Sequence, residues 1–185
     1  MKAFVAHAKA NPGKLLYSSS GAGSSPHLAT ELFNSMVGIR MTHVPYKGIA
    51  PAITAQLGNE VQVTFSNVFS AMGHWKAGRL RLVAHGGSKR AAAFPDVPTI
   101  TESGVPGFEA SNWYGYVAPA KTPRPIVEKL AREIAAVANS AEVRQTLIAQ
   151  GNDVIANTPD EFAKVIKADA HRWGTIGRKL GVRLD

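Results

Sequence analysis

Short apolar runs of strand length alternate with helix-period stretches through the first part of the chain, and that alternation predicts an α/β fold. Two further observations agree. Glycine and serine cluster at 18–25, where a strand-like run gives way to an amphipathic segment, as in a strand-to-helix turn. Apolar residues make up 45% of the 185 positions, enough for a core. No run approaches the ~20 consecutive apolar residues that span a bilayer.

Taken in order, strand candidates fall at 15–18, 41–44, 61–65, 80–84 and 114–118. Between the first two, Ser25-Pro26 reads as N-cap and first-turn proline, Leu28, Leu32, Phe33 and Met36 as a core stripe, and Gly38 as the stop. A short helix fits 51–57, closed by Gly58. Ser66-Asn67 ends the third strand candidate and caps the next helix. Residues 94–123 are rich in Pro and Gly and read as a crossover, after which the pattern turns helical. Thr122-Pro123 starts a helix with Ile126, Leu130, Ile134 and Val137 on one face. Thr158-Pro159-Asp160-Glu161 is a capping box opening a helix with Phe162, Val165, Ile166, Trp173, Ile176 and Leu180.

The segment YSSSGAGSSPH (17–27) holds the strongest site candidate. Gly21 and Gly23 permit backbone angles closed to other residues, and Ser18, Ser19, Ser20, Ser24 and Ser25 add hydroxyls beside the open amides of a helix start. A carboxylate or phosphate fits such a cradle. The bland alternative is an ordinary turn that uses Gly and Ser for conformation alone. His27 in the first helical turn reads as a neutral histidine packed beside the loop and bonded to it, because the helix dipole disfavours its charged form there. Tyr46 and Lys47, after the second strand candidate, belong to the same sheet end, since α/β ligands gather beyond strand C-termini.

Composition narrows the chemistry. The chain has no cysteine, so disulfides, thiol catalysis and cysteine-held metals are excluded. Six histidines are scattered without an HxxxH or HxH pair, so no metal site is expected. The loop lacks the Gly-Lys-Ser/Thr of a P-loop and the G-x-S-x-G of a nucleophile elbow, and no base partner for its serines is recognisable by spacing. The net charge of +8 favours an anionic partner, but the basic residues are too dispersed for a nucleic-acid tail. Two rival readings remain: a small hydrolase or phosphate-handling enzyme using the Ser/Gly loop, and a basic interaction module.

The loop at 17–27 combines with HVPYKG at 43–48, FSN at 65–67, FPDVPTITESGVPGFEASNWYGYVAPAKTP at 94–123 and TPDEFAKVI at 158–166. In this order the motifs resemble the tripartite tricarboxylate transporter receptors, also called Bug proteins, over nearly the whole chain. The resemblance implies a periplasmic binding protein type II-like α/β fold and a non-catalytic, extracytoplasmic solute-binding protein that captures a small carboxylate such as a di- or tricarboxylic acid. It implies no cofactor, and it makes membrane transporter subunits the partners. It carries the ligand role onto Ser19, Ser20, Gly21, Ala22, Gly23, Ser24 and Ser25 for one carboxylate, with His27, Tyr46, Lys47, Ser66 and Asn67 as further candidates. Relatives often carry Asp where Ser66 stands, which favours a plain carboxylate over an amino acid.

Members of that family normally have roughly a hundred further residues and a signal peptide before the point matching Met1. The opening MKAFVAHAKANPGK has neither the apolar region nor the cleavage site of such a signal. The expectation is therefore a fragment. Residues 1–112 would form a second-lobe domain carrying the ligand loop, and 113–185 the crossover and C-terminal helices of an incomplete first lobe. Apolar surface left on those helices predicts a homo-oligomer.

Overall fold

The computed structural model describes residues 1–182. Helix α1 (Lys2–Ala10) precedes β1 (Leu16–Ser19), and α2 (Ser25–Val37), β2 (Thr42–Pro45), α3 (Ile49–Leu57), β3 (Val63–Thr64) and α4 (Val68–Lys76) follow in alternation. Helices α5 (Arg124–Asn139), α6 (Ala141–Ala149) and α7 (Pro159–Lys179) complete the described chain. The strands form one parallel sheet in the order β2-β1-β3, with Tyr17 level with both His43 and Val63.

That order reverses direction at β1. The first crossover steps to one side and the second passes back over it, so right-handed connections put α2 and α3 on opposite faces. Side chains of β1 alternate accordingly. The Tyr17 hydroxyl donates to Glu31 of α2, whereas the Ser18 hydroxyl donates to the Ala52 carbonyl of α3 and bonds Thr64 of β3. All three strands end at one edge, which collects the turns before α2, α3 and α4.

Helix α2 stops at Gly38, whose left-handed backbone (φ +66°) closes it, and α3 ends before Gly58, both as the sequence predicts. The start of α2 differs by one residue: Ser24 is the N-cap and Ser25 the first helical residue. Helices α1 and α6 have no counterpart among the predicted elements. The alanine-rich α1 is short, and it is held by Phe4 and Val5 packing on a core cluster of Phe33, Ile100, Val105 and Phe108. A second cluster joins Met72, Phe94 and Val97.

Two strand candidates are corrected. The run 80–84 is not a strand; it divides between the two clusters, Ala84 on the first and Leu82 on the second. Beyond it only a single bridge forms, between His85 and Thr99. The run 114–118 is not a strand either: 111–118 is exposed and makes no backbone–backbone hydrogen bond among the described residues. A period-2 pattern makes a strand only where a neighbouring backbone completes the ladder.

Helices α5, α6 and α7 contain no buried residue. The predicted apolar face of α5 lies open, with Ile126, Leu130, Ile134 and Val137 between 36% and 59% exposed. The predicted capping box is present: Glu161 N–H donates to the Thr158 hydroxyl, and the Glu161 carboxylate accepts the Thr158 amide. A strip through 109–115 ties this part to the sheet. The Asn112 amide donates to Asn67, the Trp113 indole donates to Asp169, and Arg172 donates to the Glu109 carbonyl. Trp113 also meets Phe162 edge-on, so its role is packing.

Candidate functional site

The Ser/Gly loop joins the central strand to α2, and its two glycines take the backbone angles the sequence predicts. Gly21 (φ +130°) and Gly23 (φ +72°) lie where a Cβ is strained. A bond from the Tyr46 amide to the Ser19 carbonyl brings the turn after β2 against it. The structure thus gathers 19–25, His27 and Tyr46 at one place.

Within the loop the hydroxyls divide by role. Ser18 and Ser19 are fully buried. The Ser19 hydroxyl takes the Gly21 amide and lies within bonding distance of the Gly21 carbonyl and of His43 Nε2 (2.7 Å). Ser24 turns back to donate to the Gly21 carbonyl instead of capping the helix. The hydroxyls of these three serines are thus bonded within the fold. The Gly23 amide is likewise committed, donating to His27 Nδ1 at 3.0 Å.

What is left facing outward is a smaller set. Among the described residues, no hydrogen bond is made by the amides of Ala22 and Ser25 or by the hydroxyls of Ser20 and Ser25. Those four donors sit at the N-terminus of a helix of 13 residues, where the backbone dipole favours an anion.

The same pattern recurs along the edge. Helices α2, α3 and α4 have Ser24, Gly48 and Asn67 as N-caps; none has a side-chain cap bond and none has an acidic residue in its first turn. Helices α1 and α5 also start without a cap bond or a first-turn acid, whereas α7 has a capping box and two first-turn acids. Lys47 is exposed beside Gly48. Tyr46 directs its hydroxyl toward Glu60, and desolvation, reinforced by that carboxylate, raises its pKa. Ser66 donates to the carbonyl of its neighbour Asn67, Asn67 Oδ1 accepts from Asn112 of the crossover strip, and neither side chain bonds the loop.

Beneath the loop lies a stack absent from the predicted set. The rings of Tyr17 and His43 are 4.8 Å apart and those of His43 and His27 3.8 Å, both nearly parallel. Burial, reinforced by the bonded Glu31 carboxylate, pushes the Tyr17 phenol well above its usual range, so it stays a donor. The alternation of β1 and β2 was the available signal, since it sends Tyr17, Ser19 and His43 to one face; strand register, which sequence does not give, was the missing piece.

Against expectation, a serine does have an imidazole at bonding distance, Ser19 with His43, and its side chain is fully buried. Among the described residues there is no group of three or more His, Asp or Glu suited to a metal ion, and no helix long and apolar enough to cross a membrane.

Comparison with known proteins gives this geometry a family. The model of the tripartite tricarboxylate transporter family receptor matches residues 1–182. Protein BugT of Bordetella pertussis is 35% identical over 184 residues, which cover all of this chain and 56% of that protein. An R. palustris protein solved with adipate superposes with a TM-score of 0.94 at 32% identity, over 98% of this chain and 61% of that one. MatC from Rhodopseudomonas palustris, solved with bound malate, gives 0.84 at 26%, over 95% of this chain and 61% of that one. The chain spans about half the length of the curated relatives it matches. Its α/β fold is of the periplasmic-binding-protein type II kind, and the chain belongs to the tripartite tricarboxylate transporter receptor family.

Proposed function

We propose that this chain grips one carboxylate of a small di- or tricarboxylic acid as part of a non-catalytic periplasmic solute-binding protein, which hands the acid to membrane transporter subunits. The observation that carries the reading is the set of unspent donors at the start of α2. Three successive helices open at that sheet edge without side-chain caps or first-turn acids, and Ala22, Ser20 and Ser25 offer unspent donors at the first of them. Fixed dipoles without a full countercharge suit reversible capture, because they attract an anion without a buried ion pair that would resist release. The adipate and malate held by two relatives support the ligand class.

Residues 1–112 act as the second lobe, and 113–185 are the crossover and helices of a first lobe whose own loop takes the other end of the acid. Ser20, Ala22 and Ser25 are the contacts, Tyr46 and Lys47 lie at the rim, and Ser66 and Asn67 border the site on the β3 side.

Titrating adipate and malate while following backbone amide resonances tests this. Saturable shifts centred on Ala22 and Ser25 are expected, and Ser25→Ala should weaken them roughly tenfold, the scale of a hydrogen bond to a charged group. Shifts centred elsewhere, or none with either acid, would sink the reading.

A further inference from the structure

We propose that His27 is the positioning residue of the Ser/Gly loop, holding its shape only while the imidazole is neutral, so that uptake of one proton loosens the loop. The Gly23 amide donates to His27 Nδ1, which must therefore carry a lone pair, and the ring proton sits on Nε2. Protonated at Nδ1, the ring would turn a donor toward a donor. The Gly23 amide would lose its partner within a left-handed turn whose other bonds run through Ser19, Gly21 and Ser24 and not through Gly23.

The surroundings set how this titration works. Facing His27 are the imidazole of His43 on β2 at 3.8 Å and the Tyr17 phenol on β1; Glu31, one turn along α2, has its carboxylate bonded by that phenol. Helix α7 meets α2 beside it, at Leu28 and Gly177, and carries Arg178 there, with the guanidinium turned back to Thr175. Two stacked imidazolium rings at 3.8 Å would repel strongly, so the pair takes its protons in separate steps.

The two rings also differ in what a proton costs. His43 Nε2 can donate to Ser19 while that hydroxyl donates to the Gly21 carbonyl, so a proton there preserves the bonds of Ser19. A proton on His27 Nδ1 removes a bond. Loop shape is therefore tied to His27 in particular. This inference concerns the site proposed above, but it stands on ligand-free geometry.

The test is a pH titration of the ligand-free 185-residue chain, following the Gly23 amide and both imidazoles by nuclear magnetic resonance. The Gly23 amide should move in one step with the His27 midpoint, and its hydrogen-exchange protection should fall roughly fivefold below it, the worth of one ordinary hydrogen bond. His27→Asn places a non-titrating acceptor where Nδ1 stands; it should keep the high-pH protection and abolish the step. A Gly23 amide indifferent to His27 protonation, or a step surviving in His27→Asn, overturns the proposal. Adipate titrated in parallel separates the two ideas, since failure to bind at any pH rejects the carboxylate reading alone.

Discussion

Ser19 and Ser25 flank the same turn, yet they do opposite things. Ser19 is fully buried and answers the Gly21 amide and His43, so Ser19→Ala strands buried polar groups and should cost about 1–3 kcal/mol in urea unfolding. Ser25 is exposed with an uncommitted hydroxyl, so Ser25→Ala should leave stability within about 0.5 kcal/mol while weakening anion binding. Equal stability losses in the two variants would refute the division. His85 gives a pH handle at this scale. Burial lowers its pKa, outweighing the nearby Asp153 charge, so the folded state favours the neutral ring. Its contribution is present above the unfolded value near ~6.5 and is lost as pH falls through the lower folded value. Stability should thus decline with acidity in that window, and His85→Asn should flatten the decline. The turn itself was legible in Gly21, Gly23 and the serines. Which hydroxyls face inward was not, because that depends on strand register and on His43, 24 residues away.

At the scale of elements, local signals did best where they were chemically complete. Thr158 and Glu161 satisfy each other's backbone within one turn, and that reciprocity needs nothing from the rest of the fold. Thr158→Ala should cost about 1 kcal/mol and fray the start of α7, seen as faster amide exchange at Glu161. The Glu161 carboxylate is held below its usual range chiefly by the Thr158 amide, and Asp160 chiefly by the Arg124 guanidinium, which grips both its oxygens. This stabilisation is full above the unfolded carboxylate values near ~4 and disappears as pH falls through the lower folded ones, so α7 should fray from its N-terminus only in strong acid. Gly151 marks the seam between the C-terminal part and the sheet: its φ is +83°, and a Cβ there would meet Val68 and Phe94 at 3.0–3.1 Å. Gly151→Ala should loosen that seam and raise exchange in α4, whereas Gly78→Ala, equally left-handed but in open space, should not. Runs 80–84 and 114–118 carry strand-like alternation without becoming strands, because propensity prepares a segment but a partner backbone makes it.

For the whole molecule, the division of burial is the dominant fact. Every buried side chain among the described residues lies between Ala8 and Phe108, while α5 to α7 and the extended strip at 111–118 leave apolar residues in water. Tyr114, Tyr116 and Val117 are 61–83% exposed along a backbone with unspent donors and acceptors, the kind of edge that seeks another chain. We expect association through this strip and the open apolar side of α5. Light scattering at micromolar concentration should return at least twice the chain mass of 19.7 kDa, and Leu130→Glu should shift it toward the monomer. A compact monomer for the parent chain would refute this. Sequence alone determined the α/β class, the glycine turn between β1 and α2, the helix stops at Gly38 and Gly58, and the cap of α7, because each is encoded in residues adjacent along the chain or around one helical turn. Tertiary structure alone decided that Ser19 serves His43 while Ser25 faces outward, that Tyr17, His43 and His27 stack under the loop, and that 114–118 is no strand. Those outcomes depend on which distant backbone lies alongside, and a neighbour in space is set by register and packing.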